Sequence, residues 1–301
     1  MKILRTIPIV ILAVCLSAAP GLAEKATKKD ESSDSKIPHT IQGGGKGDVH
    51  FLLGFEYQQK GHLDAALDEY RKALEKDPKL YDAAFNSGVI MLKQGKKQDA
   101  LEFFTRCIGI SPSAPEAYRA IAAVYAEEKK GDKVIAILAK GVSANAKNAD
   151  LRRDLAIAYQ RAGKFDESLK VLETGAKTTP DNRDIRFMLG MAYKNKNRFD
   201  PAIREFKAVA AANPKDFDGW FNLGDAYRRK GEIDNAITAL EKAAGLQDKS
   251  AMTHSMLGLC YRQKGMPDKA MKSYETAIKL DPKGIAGKIA HEGLKALGSG
   301  K

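Results

Sequence analysis

The groups in this 301-residue sequence that could do chemistry are five histidines, three cysteines and many carboxylates. Two metal ligands on one helical face need a spacing of three or four residues. His39, His50, His62, His254 and His291 contain no such pair, so no metal site is expected. Cys107 and Cys260 stand among small and apolar residues and read as small hydrophobes rather than nucleophiles. No carboxylate pair converges with a plausible base, nucleophile or apolar pocket. The run Gly45-Lys46-Gly47 has the look of a phosphate loop but lacks a glycine five residues before Gly45 and a hydroxyl residue after Lys46. No catalytic residue, no cofactor and no enzyme activity are expected.

The elements that carry these residues follow a strict period. From Gly47 onward the sequence repeats every 34 residues, with units beginning at Gly47, Tyr81, Pro115, Ala149, Arg183, Phe217 and Ala251 and the last ending at Gly284. Position eight of each unit is small: Gly54, Gly88, Ala122, Ala156, Gly190, Gly224 and Gly258. A residue of that size lets two helices approach closely. Residues four apart, such as Leu189 and Tyr193 or Leu223 and Tyr227, form the apolar stripe of a first helix. Gly61, Gly95, Gly163, Gly231 and Gly265 end it where a left-handed residue is wanted, with Asn197 and Lys129 in the same slot of two units. Asp64, Asp132, Asp166, Asp200, Asp234 and Asp268 then read as caps of a second helix. Pro78, Pro112, Pro180, Pro214 and Pro282 punctuate the link to the next unit.

The flanks differ in composition. Lys2 and Arg5, an apolar run from Ile7 to Ala19 and the sequence Gly21-Leu22-Ala23 predict a cleaved secretory leader over 1–23. The run is too short for a comfortable membrane span. Cys15 follows the branched Val14, which disfavours lipid attachment there. Residues 24–46 are rich in Lys, Asp, Ser and Gly and read as a flexible tether. Residues 285–301 supply a capping helix and tail, with Ile289, Leu294 and Leu297 inward and Lys288, Glu292 and Lys295 outward. Cleavage would lower the formal charge from +12 to +10 by removing Lys2 and Arg5. Basic and acidic residues are mixed throughout, which argues against a nucleic-acid surface.

With stretches such as Trp220-Phe221-Asn222-Leu223-Gly224-Asp225-Ala226-Tyr227, the sequence resembles the tetratricopeptide-repeat (TPR) family. The resemblance implies an all-α, right-handed α-solenoid superhelix of seven helix-turn-helix units plus the C-terminal capping helix. It also implies that the face opposite the stripe lines a concave groove that binds a partner peptide or helix. On that face lie the expected groove residues Phe51, Phe55, Phe85, Asn86, Arg119, Arg153, Phe187, Met191, Phe221, Asn222, Arg228 and Leu259. Arg119 and Arg153 form a polar, basic waist between two apolar stretches. Acids at position two edge one rim, and Lys93, Arg161, Lys194, Arg228, Arg229 and Arg262 edge the other. The specific Lys, Asn and Arg set of chaperone-tail-binding family members is not present in any three consecutive units. The expectation is a non-catalytic protein-interaction scaffold, periplasmic or secreted, whose partners are proteins of a cell-envelope complex. A binder of anionic wall glycan is the alternative.

Overall fold

The computed structural model describes residues 48–298; the expected leader, the tether, Cys15, Gly47 and the tail beyond Gly298 lie outside the described residues. Among the described residues there are fifteen α-helices and no strand. The fold is an all-α helical-repeat solenoid. Two compact units divide between Leu151 and Arg152. The first contains α1 (Asp48–Gln59), α2 (Leu63–Lys76), α3 (Tyr81–Lys93), α4 (Lys97–Ile110), α5 (Pro115–Glu127) and α6 (Gly131–Ala144). The division falls inside α7 (Ala149–Arg161). The second contains α8 (Phe165–Thr178), α9 (Arg183–Asn195), α10 (Phe199–Ala212), α11 (Phe217–Lys230), α12 (Ile233–Leu246), α13 (Ala251–Gln263), α14 (Pro267–Leu280) and α15 (Ile285–Gly298).

Odd-numbered helices from α3 to α15 begin at Tyr81, Pro115, Ala149, Arg183, Phe217, Ala251 and Ile285, a constant 34-residue step. Within each unit a helix packs against the next in the chain, as α3 does on α4 and α11 on α12. Position eight explains how closely. A Cβ on Gly88 would lie 2.7 Å from the Phe104 ring and one on Gly190 2.7 Å from the Phe206 ring. Each first helix therefore lowers its backbone onto the large residue of its own second helix, and overpacking there costs about 1–3 kcal/mol. The fully buried rings Tyr70, Phe104, Phe206 and Tyr274 are these large residues.

Lys129 and Asn197 adopt left-handed backbone, with φ of 57° and 56°, in the slot where Gly61 and Gly163 have φ of 79° and 72°. The turn geometry is thus kept without glycine in two repeats. Gly131 instead opens α6.

The aspartates expected to cap the second helices do not cap them. Their N-caps are His62, Lys96, Lys130, Lys164, Arg198, Glu232 and Met266, none making a side-chain cap bond. The acids lie within the first turn, where they favour the helix dipole. Several also reach 30 residues on: Asp64 accepts from Gln94 at 2.9 Å, and Asp166 pairs with Lys196 and Asp234 with Lys264, each at 2.6 Å. Exposed pairs of this kind contribute little, about 0–1 kcal/mol. True caps sit at the first helices. Asn182, Asp216 and Ser250 accept from the backbone N–H of Ile185, Gly219 and Thr253, and Asn148 from that of Leu151.

The two termini of the described chain differ. Positions three and seven of a first helix are sealed wherever a preceding helix packs on them, as at Ile185 and Leu189 beside α8. In α1 the same positions carry Val49 and Leu53, which are 56% and 36% exposed, so no described helix seals the expected stripe there. At the other end α15 packs on α13 and α14. Its tightest contacts are made by Ala286, Gly287, Ala290 and Gly293, and Ser255 donates to the Ala286 carbonyl at 2.7 Å. Ile289, Leu294 and Leu297, expected inward, are only half-buried, while Lys288, Glu292 and Lys295 are exposed. Bulky side chains would hold α15 away from Tyr274, so small residues take the close contacts.

Candidate functional site: an apolar face with a cationic edge

In the second unit, α11 touches both α9 and α13. Their positions three, seven, eight, ten and eleven are mostly buried; at positions five, six and nine Asn222, Asp225 and Ser255 are buried as well, and the six other residues turn to the remaining face. Phe187, Met188, Met191, Phe221, Met256 and Leu259 occupy it, all half-buried. Phe187 meets the Phe206 ring edge-on at 5.8 Å, and Phe221 stacks on Phe217 at 5.8 Å. These contacts fix the rings at their base, and the Arg183 guanidinium lies over the Phe187 ring, 4.6 Å from its centroid.

At the acidic edge of this face one arginine gathers three carboxylates. Arg183 holds Asp216 through two bonds, Nε–Oδ2 at 2.8 Å and Nη2–Oδ1 at 3.1 Å, and reaches Asp218 at 3.2 Å and Asp184 at 3.5 Å. The Arg183 guanidinium keeps the Asp216 carboxyl below the usual carboxylate range.

The opposite edge is built on one carboxylate. Asp225 is 7% exposed and receives Lys194 Nζ at 3.1 Å, Arg228 Nη2 at 2.8 Å and Arg229 Nε at 3.3 Å. Lys194, 7% exposed, also donates to Asn222 Oδ1 at 2.7 Å, and Asn222 Nδ2 donates to the Asp218 carbonyl at 2.9 Å. Burial pushes the Asp225 carboxyl up, but Lys194 and Arg228 outweigh it and hold the group below its ordinary value. Three cations thus share one anion.

The expected groove residues divide accordingly. Phe187, Met191, Phe221 and Leu259 lie together on the second unit's face, with Arg228 at its edge. Asn222 is buried and serves the Lys194 contact, so it is not a free ligand-backbone donor. Lys194, expected as a rim base, is buried because Asp225, thirty-one residues later in chain order, draws it inward. Arg153, of the expected waist, bonds Asp184 and Asp154, each at 3.4 Å, and belongs to a different unit from Arg119. In the first unit Phe51 and Phe55 are half-buried and 6.5 Å apart, and Asn86 donates to the Tyr70 hydroxyl at 3.3 Å. Phe85 is 8% exposed, packed between Tyr81 and Phe104, and is a core residue. Asp225 is the site residue that sequence reasoning misses. Its signal is an acid three and four residues before Arg228 and Arg229, the spacing of helical ion pairs.

Tetratricopeptide-repeat models match residues 153–200, 188–251 and 251–283, and the model of the Psidin N-terminal TPR region matches 55–167. The chain belongs to the tetratricopeptide-repeat family. It is 32% identical over 111 residues to the photosystem I assembly protein Ycf3 of Cuscuta gronovii, which covers 34% of this chain and 65% of that protein. With Ycf3 of Rippkaea orientalis it shares 30% identity over 80 residues, 26% of this chain and 46% of that one. The chain therefore spans less than two thirds of these relatives. A crystal structure of MamA superposes with a TM-score of 0.52 at 24% identity, covering 56% of this chain and 92% of that one; this likeness concerns the fold.

The other reactive groups of this tetratricopeptide-repeat chain serve its packing. Cys107 and Cys260 are free and buried, and burial pushes their thiols up to about 12 and about 11, far from the thiolate needed for nucleophilic attack. His50 Nδ1 lies 2.7 Å from Glu69 Oε2 and His254 Nε2 2.8 Å from the Asp248 carbonyl. Among the described residues no group of three or more His, Cys, Asp or Glu side chains is placed to hold a metal ion. Nor is any described helix long and apolar enough to cross a membrane.

Proposed function

We propose that this chain is a non-catalytic scaffold that holds a segment of a partner protein along the α9–α11–α13 face. One observation carries the reading: six half-buried apolar side chains recur at positions five, six and nine of these three successive first helices. A continuous apolar strip of this kind usually marks a partner site. The family membership supports the same reading, and the name of the Ycf3 relatives speaks of assembly. No cofactor enters this reading.

The leader-like sequence of residues 1–23 supports placing the scaffold in a bacterial cell envelope, periplasmic or secreted, within a protein complex. N-terminal sequencing of the protein from its own cells is expected to find Glu24 first. A chain beginning at a lipidated Cys15 would overturn soluble export.

For the groove, crosslinking in the envelope identifies the partner, and calorimetry with that partner then tests the face. Phe187→Ala with Phe221→Ala is expected to weaken binding at least tenfold, because side chains of this size contribute about 1.5–3 kcal/mol each when buried. The fold survives, since Leu189, Leu223 and Tyr227 are untouched. Full affinity with a sharply lowered melting temperature would instead make both phenylalanines core residues.

A further inference from the structure

The donors at the cationic edge outnumber their acceptors. Lys194, Arg228 and Arg229 converge on the single carboxylate of Asp225, a local excess of two positive charges. Arg228 Nε is buried and has no hydrogen-bond partner, and an orphaned buried donor in a native fold calls for an explanation. One repeat further along the array, Arg262 is half-buried at the position that Arg228 holds in its own repeat, and no described carboxylate pairs with it. The corresponding positions of the first unit carry Gln58, Leu92 and Ala126, so the excess is a local device rather than a property of the repeat.

We propose that Arg228 and Arg262 bind a carboxylate of the partner segment whose apolar side chains lie on Met191, Phe221 and Leu259. This rests on the groove reading and adds the chemistry of its ligand: an apolar segment carrying one acidic group. Arginine is suited to the task, since its planar fork meets a carboxylate with two parallel bonds. A buried Asp225 bonded to Arg228 neutralises part of its charge, which suits a monoanion better than a phosphate dianion. Lys194 and Asp225 position Arg228 and are themselves buried. The carboxylate can come from an Asp or Glu side chain or from a chain terminus.

The test uses the full chain and three synthetic heptapeptide pools, each with randomised apolar residues. One has a central Glu and an amidated end, one a central Gln and an amidated end, and one a central Gln and a free C-terminal acid. At least one acidic pool is expected to bind tenfold or more tightly than the neutral pool, and which of them does so identifies the source of the carboxylate. Arg228→Gln with Arg262→Gln is expected to abolish that preference while leaving affinity for the neutral pool. Arg262→Gln alone, which disturbs no ion pair among the described residues, is expected to reduce the preference with an unchanged melting temperature. Equal binding of acidic and neutral pools would overturn the carboxylate site and leave the groove standing. Binding of none would remove the groove reading and this one with it. Displacement of the acidic pool by submillimolar inorganic phosphate, but not by acetate, would overturn the choice of carboxylate over phosphate.

Discussion

Deleting residues 285–301 is expected to destabilise the last repeat before any other. The helix α15 covers Tyr274, which is fully buried, and closes the hydroxyl of Ser255 onto the Ala286 carbonyl. Its removal exposes the contact face of α13 and α14 to water and strands a buried polar group. A repeat in such an array is held by its neighbours, so losing one interface lowers the stability of the adjacent repeat most. Hydrogen exchange is the measurement that resolves this order, because a single melting temperature averages over an array that need not unfold as one. Amides of Ala251–Gly284 should lose protection by orders of magnitude, while those of α9 and α10 change far less. Unchanged protection over 251–284 would show that α15 is no cap.

A second large effect is expected at Asp225. The substitution Asp225→Asn removes the one anion that compensates Lys194 within the fold, and breaking a buried pair from one side costs about 3–5 kcal/mol. The lower end applies, since Arg228 and Arg229 still reach water. The sign with pH is fixed by the direction of the shift. Asp225 titrates below the ordinary carboxylate value when folded, so its contribution is fully present above the unfolded value of about 4 and is lost as pH falls through the lower folded value. Denaturant titrations of the two proteins should therefore differ widely at pH 7 and converge as the folded carboxyl is protonated. A constant difference down to strong acid would mean that the substitution acts sterically rather than through charge.

Much of the fold is legible in the sequence because its determinants are local and repeated. A small residue at position eight, a left-handed residue after the first helix and a proline after the second recur often enough that the helix starts can be counted off. Even Lys129, a poor left-handed residue, is revealed by the unbroken phase of its neighbours. The caps escape the pattern for a related reason: Asp64 and its counterparts have the right residue type but sit inside the helix, and a shift of two residues is invisible to a pattern of types. The site is legible as a face and not as a depth. Periodicity places Phe85 and Phe221 alike, yet Phe85 lies between Tyr81 and Phe104 and is buried, while Phe221 stacks on Phe217 of its own helix and is half-buried. Likewise Lys194 and Arg262 share a position in their repeats, and only the aspartate at position nine of the following repeat separates a buried lysine from an unpaired arginine. Such distinctions arise from pairs nearly twenty residues apart or more, which no single-helix pattern contains.

The open flank of α1 makes the protein asymmetric with respect to growth. Val49 and Leu53 already present the surface onto which a preceding second helix docks elsewhere in the chain. A further 34-residue module spliced ahead of α1 would thus find a prepared seat, whereas one appended behind α14 must first displace α15 and its lysines. Among the described residues, insertion of a module by protein engineering therefore has a preferred direction, ahead of α1 rather than between α14 and α15.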